Sequence, residues 1–98
     1  MTIDKKMEDG VLTYTLTGRL DTVTSPELES DMKHSLDGVQ KLLMDFSGLE
    51  YLSSSGLRVL LAAQKVMNNQ GEMILHNVND TIMEVFEITG FSEILTIE

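Results

Sequence analysis

The sequence contains no cysteine, which excludes disulfides, thiolate metal sites and a cysteine nucleophile. A chain without thiols fits a reducing compartment, and a cytoplasmic location is expected. No apolar run approaches the roughly 20 residues that span a bilayer. The polar start Met1-Thr2-Ile3-Asp4-Lys5-Lys6 lacks the apolar centre of a signal peptide. Proline occurs once, at Pro26, and nothing reads as a linker, a low-complexity tract or an internal repeat. Positive charge is scarce: 7 lysines and arginines face 16 aspartates and glutamates, for a net charge of −9. Such a chain repels nucleic acid and anionic membrane, so neither is an expected partner, and a basic surface on another protein is.

Catalytic signatures are missing as well. There is no Gly-x-x-x-x-Gly-Lys-Ser/Thr loop and no Gly-x-Gly-x-x-Gly turn to cradle a nucleotide. His34 and His76 are the only histidines, and neither lies near a serine with an orienting acid in the sequence. Asp21, Asp45 and Glu50 are read as solvated carboxylates rather than a cation site. The expectation is therefore a protein that is not an enzyme, with no catalytic residue, metal or cofactor of its own.

What is present is a core. The 98 residues are 42% apolar, enough for one domain over residues 1–98 and too few for two. Leu12, Tyr14 and Leu16 alternate with Thr13, Thr15 and Thr17, the period of a half-buried strand. Glu8-Asp9-Gly10 before it is a turn signal that makes residues 2–7 the other arm of a hairpin. Thr24-Ser25-Pro26-Glu27 opens a helix, with a hydroxyl cap and proline at the first turn. Leu28, Met32 and Leu36 form its apolar stripe, Gly38 stops it, and His34 falls off the stripe.

Lys41 to Phe46 reads as a short central strand ending at Asp45-Phe46, followed by a loop over residues 47–52. A broad apolar face of Leu57, Leu60, Leu61, Val66 and Met67 predicts a well-buried second helix over residues 54–69. Met73 to His76 is another short strand, and Asn79 or Asp80 caps a third helix with Ile82, Val85 and Phe86 inside and Gly90 as its stop. The tail from Phe91 closes the chain as a short helix or an edge strand. The methionines Met44, Met67 and Met73 fall in apolar elements and are assigned to the core. Alternating strands and helices with short joins imply parallel strands with right-handed crossovers. The fold class is thus α/β: a mixed sheet with an opening hairpin, then βα repeats, with helices packed on the sheet.

The informative stretch runs from Leu43 to Leu57, where a strand end leads to Ser53-Ser54-Ser55-Gly56 at a helix start. Sites gather at the carboxyl ends of parallel strands. A helix start offers free N–H groups and about half a positive charge, which suit an added phosphate. Serine is also a preferred cap, worth about 1 kcal/mol. Capping alone accounts for one of the three serines, and the residues by themselves leave both readings open.

The order and spacing of several short motifs resemble the STAS-domain family, specifically its stand-alone bacterial anti-sigma factor antagonists. The motifs are Thr17-Gly18-Arg19-Leu20-Asp21, Ser25-Pro26-Glu27-Leu28, Asp45-Phe46-Ser47 with Leu49, Tyr51 and Leu52, then Ser54-Ser55-Gly56-Leu57 and Gly90-Phe91. The resemblance covers nearly the whole chain. It implies that Ser55, the serine before the glycine, accepts a phosphate, with Ser54 as the second candidate. It implies a partner surface of Asp21, Thr22, Ser53, Ser54, Ser55, Gly56 and Leu57. It also implies a cycle. An anti-sigma factor with serine kinase activity binds the unmodified chain and releases a sigma factor. That kinase then phosphorylates Ser55 with ATP, and a serine phosphatase resets the switch. Ser53 stands where the family often has aspartate, which removes a negative charge beside the acceptor. Two other readings share the fold: a binding module that is never phosphorylated, and a sensor of a small ligand or nucleotide.

Overall fold

The alternation of Leu12, Tyr14 and Leu16 becomes strand β2 (Val11–Leu20), with those three side chains buried and the threonines between them half-buried or exposed. A computed structural model describes residues 1–98. Strand β1 (Thr2–Glu8) pairs antiparallel with β2 across Asp9-Gly10. Asp9 has φ 51° and Gly10 φ 81°. Positive φ at both central residues is the turn whose twist matches a hairpin.

Three further strands follow in parallel: β3 (Lys41–Leu52), β4 (Glu72–His76) and β5 (Thr96–Ile97). The helices between them are α1 (Ser25–Ser35), α2 (Ser54–Asn68) and α3 (Asp80–Thr89). The sheet order is β1-β2-β3-β4-β5, so every crossover steps in the same direction. Right-handed crossovers that all step one way place all their helices on one face. The packing agrees. Leu42, Met44 and Phe46 share one side of β3 and lie in a single cluster of 23 buried residues with Leu28, Met32, Leu60, Met67, Ile82 and Phe86 from the three helices. Leu43 and Asp45, on the other side of β3, are only half-buried.

Two polar side chains under α1 satisfy each other. The Tyr14 hydroxyl donates to Asp31 Oδ1 at 2.6 Å, and Lys5 Nζ lies 3.1 Å from the same oxygen. Burial and the adjacent Asp31 push the Tyr14 phenol above its ordinary pKa. Burial works against the Asp31 charge, but the Tyr14 and Lys5 donors outweigh it and hold that carboxyl below its usual range. The three core methionines are buried as expected, Met44 and Met67 fully and Met73 at 1% exposure.

The structure departs from expectation in four places. Residues 47–52 are not a loop: β3 continues to Leu52, with bulges where Thr17 and Arg19 on β2 shift register. Exposed Ser47, Glu50 and Tyr51 hide that extension from a hydrophobic pattern, whereas pairing with β2 holds it. Thr24 makes no side-chain cap to α1. Val66 is 42% exposed, and Val59, Ala63 and Gln64 take up the buried face of α2 instead. The tail is both of its alternatives, a single 3-10 turn at Phe91–Glu93 and then the short parallel β5. Elsewhere Asn79 is the cap of α3, accepting from Ile82 N at 2.8 Å, and Gly90 ends α3 at φ 83°.

Candidate functional site

The starts of α1 and α2 meet because β2 and β3 end together, with Leu20 paired to Leu52. The turn after β2 is organised by Asp21. Its Oδ1 accepts from Val23 N and Thr24 N, each at 3.0 Å, and its own N–H donates to the Thr24 hydroxyl oxygen at 2.9 Å. Its Oδ2 lies 3.5 Å from Arg19 Nε. The Thr24 hydrogen bond leads among the causes that hold the Asp21 carboxyl below its usual range. Ser25 is buried, and its hydroxyl donates to Asp21 O at 2.5 Å. Arg19 also stacks over Tyr51 on β3, its guanidinium carbon 4.2 Å from the ring centroid.

The α2 start is built differently. Ser53 is in extended conformation, donates its own N–H to Leu20 O at 2.9 Å and caps the helix by accepting from Gly56 N at 3.4 Å. Ser53 therefore does the capping, which leaves Ser54 exposed and Ser55 half-buried. Ser55 Oγ lies 3.5 Å from Thr22 Oγ1 of the α1 turn. Gly56 lies against the core: a Cβ there would stand 2.6 Å from Leu52 Cδ1 and 2.8 Å from Leu20 Cγ. Leu57 is 7% exposed and belongs to the core.

Of the seven residues named from the sequence, Asp21, Thr22, Ser53, Ser54 and Ser55 come together at one end of the sheet. Gly56 and Leu57 face inward, because this turn of α2 must pack on Leu20 and Leu52, and they support the site from below. Asp21 spends its carboxylate on its own turn. Asp45 likewise accepts from Ser47 N at 2.9 Å and Asn77 Nδ2 at 3.1 Å, and the Ser47 bond leads in lowering its pKa. Asp21, Asp45 and Glu50 do not converge, and nowhere do three histidine or acidic side chains gather at metal-binding distance. No helix is long and apolar enough to cross a membrane. Sequence reasoning missed Arg58, which lines the cleft at Ser55; its position three residues after the serine was the available signal.

Comparison with known proteins agrees with this architecture. BtrV of Bordetella bronchiseptica, named as an anti-sigma factor antagonist, is 36% identical over 99 residues, covering 99% of this chain and 84% of that one. An anti-sigma factor antagonist structure from Thermotoga maritima superposes with a TM-score of 0.90 at 19% identity, covering 97% of this chain and 84% of that one. SpoIIAA of Bacillus, an anti-sigma factor antagonist solved in unphosphorylated and phosphorylated forms, superposes with TM-scores of 0.79 and 0.78, each at 20% identity. The two forms cover 99% of this chain, and 87% and 91% of SpoIIAA. The STAS domain model matches residues 2–98. This chain belongs to the STAS-domain family.

Proposed function

We propose that the chain is a cytoplasmic anti-sigma factor antagonist whose partner binding is turned off by phosphorylation of Ser55. It is a binding protein, not an enzyme. The observation that carries this reading is the placement of Ser55. Its hydroxyl sits at the opening of α2, only half-buried, with the cap already supplied by Ser53. A phosphate there adds about −1.5 to −2 charges beside free N–H groups, so the fold tolerates it.

The docking surface consists of Ser53, Ser54, Ser55 and Thr22, with Asp21 shaping the turn that presents Thr22. The partner is an anti-sigma factor with serine kinase activity. It binds the unmodified surface and lets go of its sigma factor. It then transfers the terminal phosphoryl group of ATP to Ser55 Oγ, releasing ADP. The new charge in a partly desolvated interface costs several kcal/mol, and about 1.4 kcal/mol is already tenfold in affinity. A serine phosphatase hydrolyses the ester and restores binding. No large conformational change is needed.

Incubation with the cognate kinase and ATP, followed by intact-mass measurement, tests the reading. One phosphate is gained by the wild type and none by Ser55→Ala. Unchanged wild-type mass would overturn it in favour of a module that is never phosphorylated. A phosphate that persists in Ser55→Ala and vanishes in Ser54→Ala would move the acceptor by one residue.

A further inference from the structure

Ser55 and Arg58 are three residues apart on α2, the spacing that brings two side chains onto one helix face. Both line a cleft of about 170 Å³ between the starts of α1 and α2, with Thr22 and Glu29 facing them from the α1 side. Five of the seven lysines and arginines are in ion pairs: Lys5, Lys6, Arg19, Lys33 and Lys41. Arg58 is not among them. Glu29, the one carboxylate lining the cleft, has Lys33 at 3.9 Å, and neighbouring Asp21 has Arg19 at 3.5 Å. The exposed guanidinium of Arg58 is thus the uncommitted cation beside the acceptor hydroxyl.

We propose that Arg58 is the intramolecular counter-ion of phosphorylated Ser55. The guanidinium fork turns onto two phosphate oxygens, and Thr22 Oγ1 donates to a third. This rests on Ser55 being the phosphoacceptor and adds where the new charge goes. In the unmodified chain Arg58 is free to meet a carboxylate on the docking partner. Phosphorylation then acts twice, by adding an anion and by withdrawing the nearest cation from the docking face.

The test needs neither kinase nor partner. Phosphoserine is placed at position 55 of the full chain by codon reassignment, and its second ionisation, at about pH 6 in a free phosphoserine, is followed by phosphorus NMR. Both helix N–H groups and Glu29 act on the phosphate whatever stands at position 58, so comparison of variants isolates Arg58. The wild-type midpoint is expected at least about 0.3 pH unit below that of Arg58→Gln. Arg58→Lys, which keeps the charge and loses the fork, is expected between them. Equal midpoints in all three chains would overturn the role of Arg58 and leave that of Ser55 standing. A kinase that fails to modify Ser55 would sink the proposed function without moving this titration.

Discussion

The two helix starts at the functional end use nearly the same letters for different ends. At α1, Thr24-Ser25 is consumed by folding: Ser25 is 3% exposed and bonded to Asp21 O, and the Thr24 hydroxyl donates to Arg19 O at 2.7 Å. At α2, Ser53 alone caps the helix, and the hydroxyls of Ser54 and Ser55 are left at the surface. A hydroxyl that the fold does not need is one that chemistry can modify without unfolding the chain. The difference comes from the neighbours. Asp21 gathers the groups of the first turn, whereas Gly56 lets α2 settle on Leu20 and Leu52, and Ser53 caps while Ser54 stays exposed and Ser55 half-buried in the cleft.

Substitutions can break or sharpen that contrast. The largest effect is expected at the support of the α2 start. Gly56→Val forces a branched side chain against Leu20 and Leu52 and should cost about 2 to 3 kcal/mol in urea unfolding. Next comes Ser25→Ala, which removes a buried hydrogen bond and should cost about 1 kcal/mol. Ser53→Ala should lose about 0.5 to 1 kcal/mol as a cap. Ser55→Ala should change stability by less than about 0.5 kcal/mol. A Ser55→Ala loss as large as that of Ser25→Ala would erase the contrast and make capping the role of Ser55.

The acid dependence is the smallest effect, and its sign follows from the lowered carboxyls. Asp21, Asp31 and Asp45 all ionise below their ordinary range in the folded chain. Their contribution is therefore complete above about pH 4, the unfolded aspartate value, and is lost as pH falls through the lower folded values. Urea midpoints should drop below about pH 4, and Asp21→Asn should lower the neutral-pH midpoint while flattening that acid limb. An acid limb as steep in Asp21→Asn as in the wild type would mean that the turn does not depend on the Asp21 charge.

Much of this arrangement is legible in the sequence, because local chemistry dictates it. Asp9-Gly10 names its turn, Asn79 and Gly90 bracket α3, and the alternation around Tyr14 states which face is buried. The α2 start is legible for the same reason, as three serines and a glycine follow a strand. What could not be read depends on partners distant in the chain. The continuation of β3 through Ser47, Gly48 and Tyr51 exists because β2 continues beside it, and the Arg19–Tyr51 stack follows from that register. The capture of Thr24 by Asp21 and Arg19 replaced the expected cap by a turn network three to five residues long, which a one-residue cap rule does not describe. The inward aim of Gly56 and Leu57 follows from where Leu20 and Leu52 meet, which no local pattern states.

The central claim is that one phosphate on Ser55 switches partner binding and leaves the fold intact. Its most direct test is the affinity of the cognate anti-sigma kinase for the unmodified chain and for the chain carrying phosphoserine at 55, with circular dichroism recorded on both. The account predicts superimposable spectra and a dissociation constant at least about 100-fold weaker for the phosphorylated chain. Equal affinities for the two chains would contradict it.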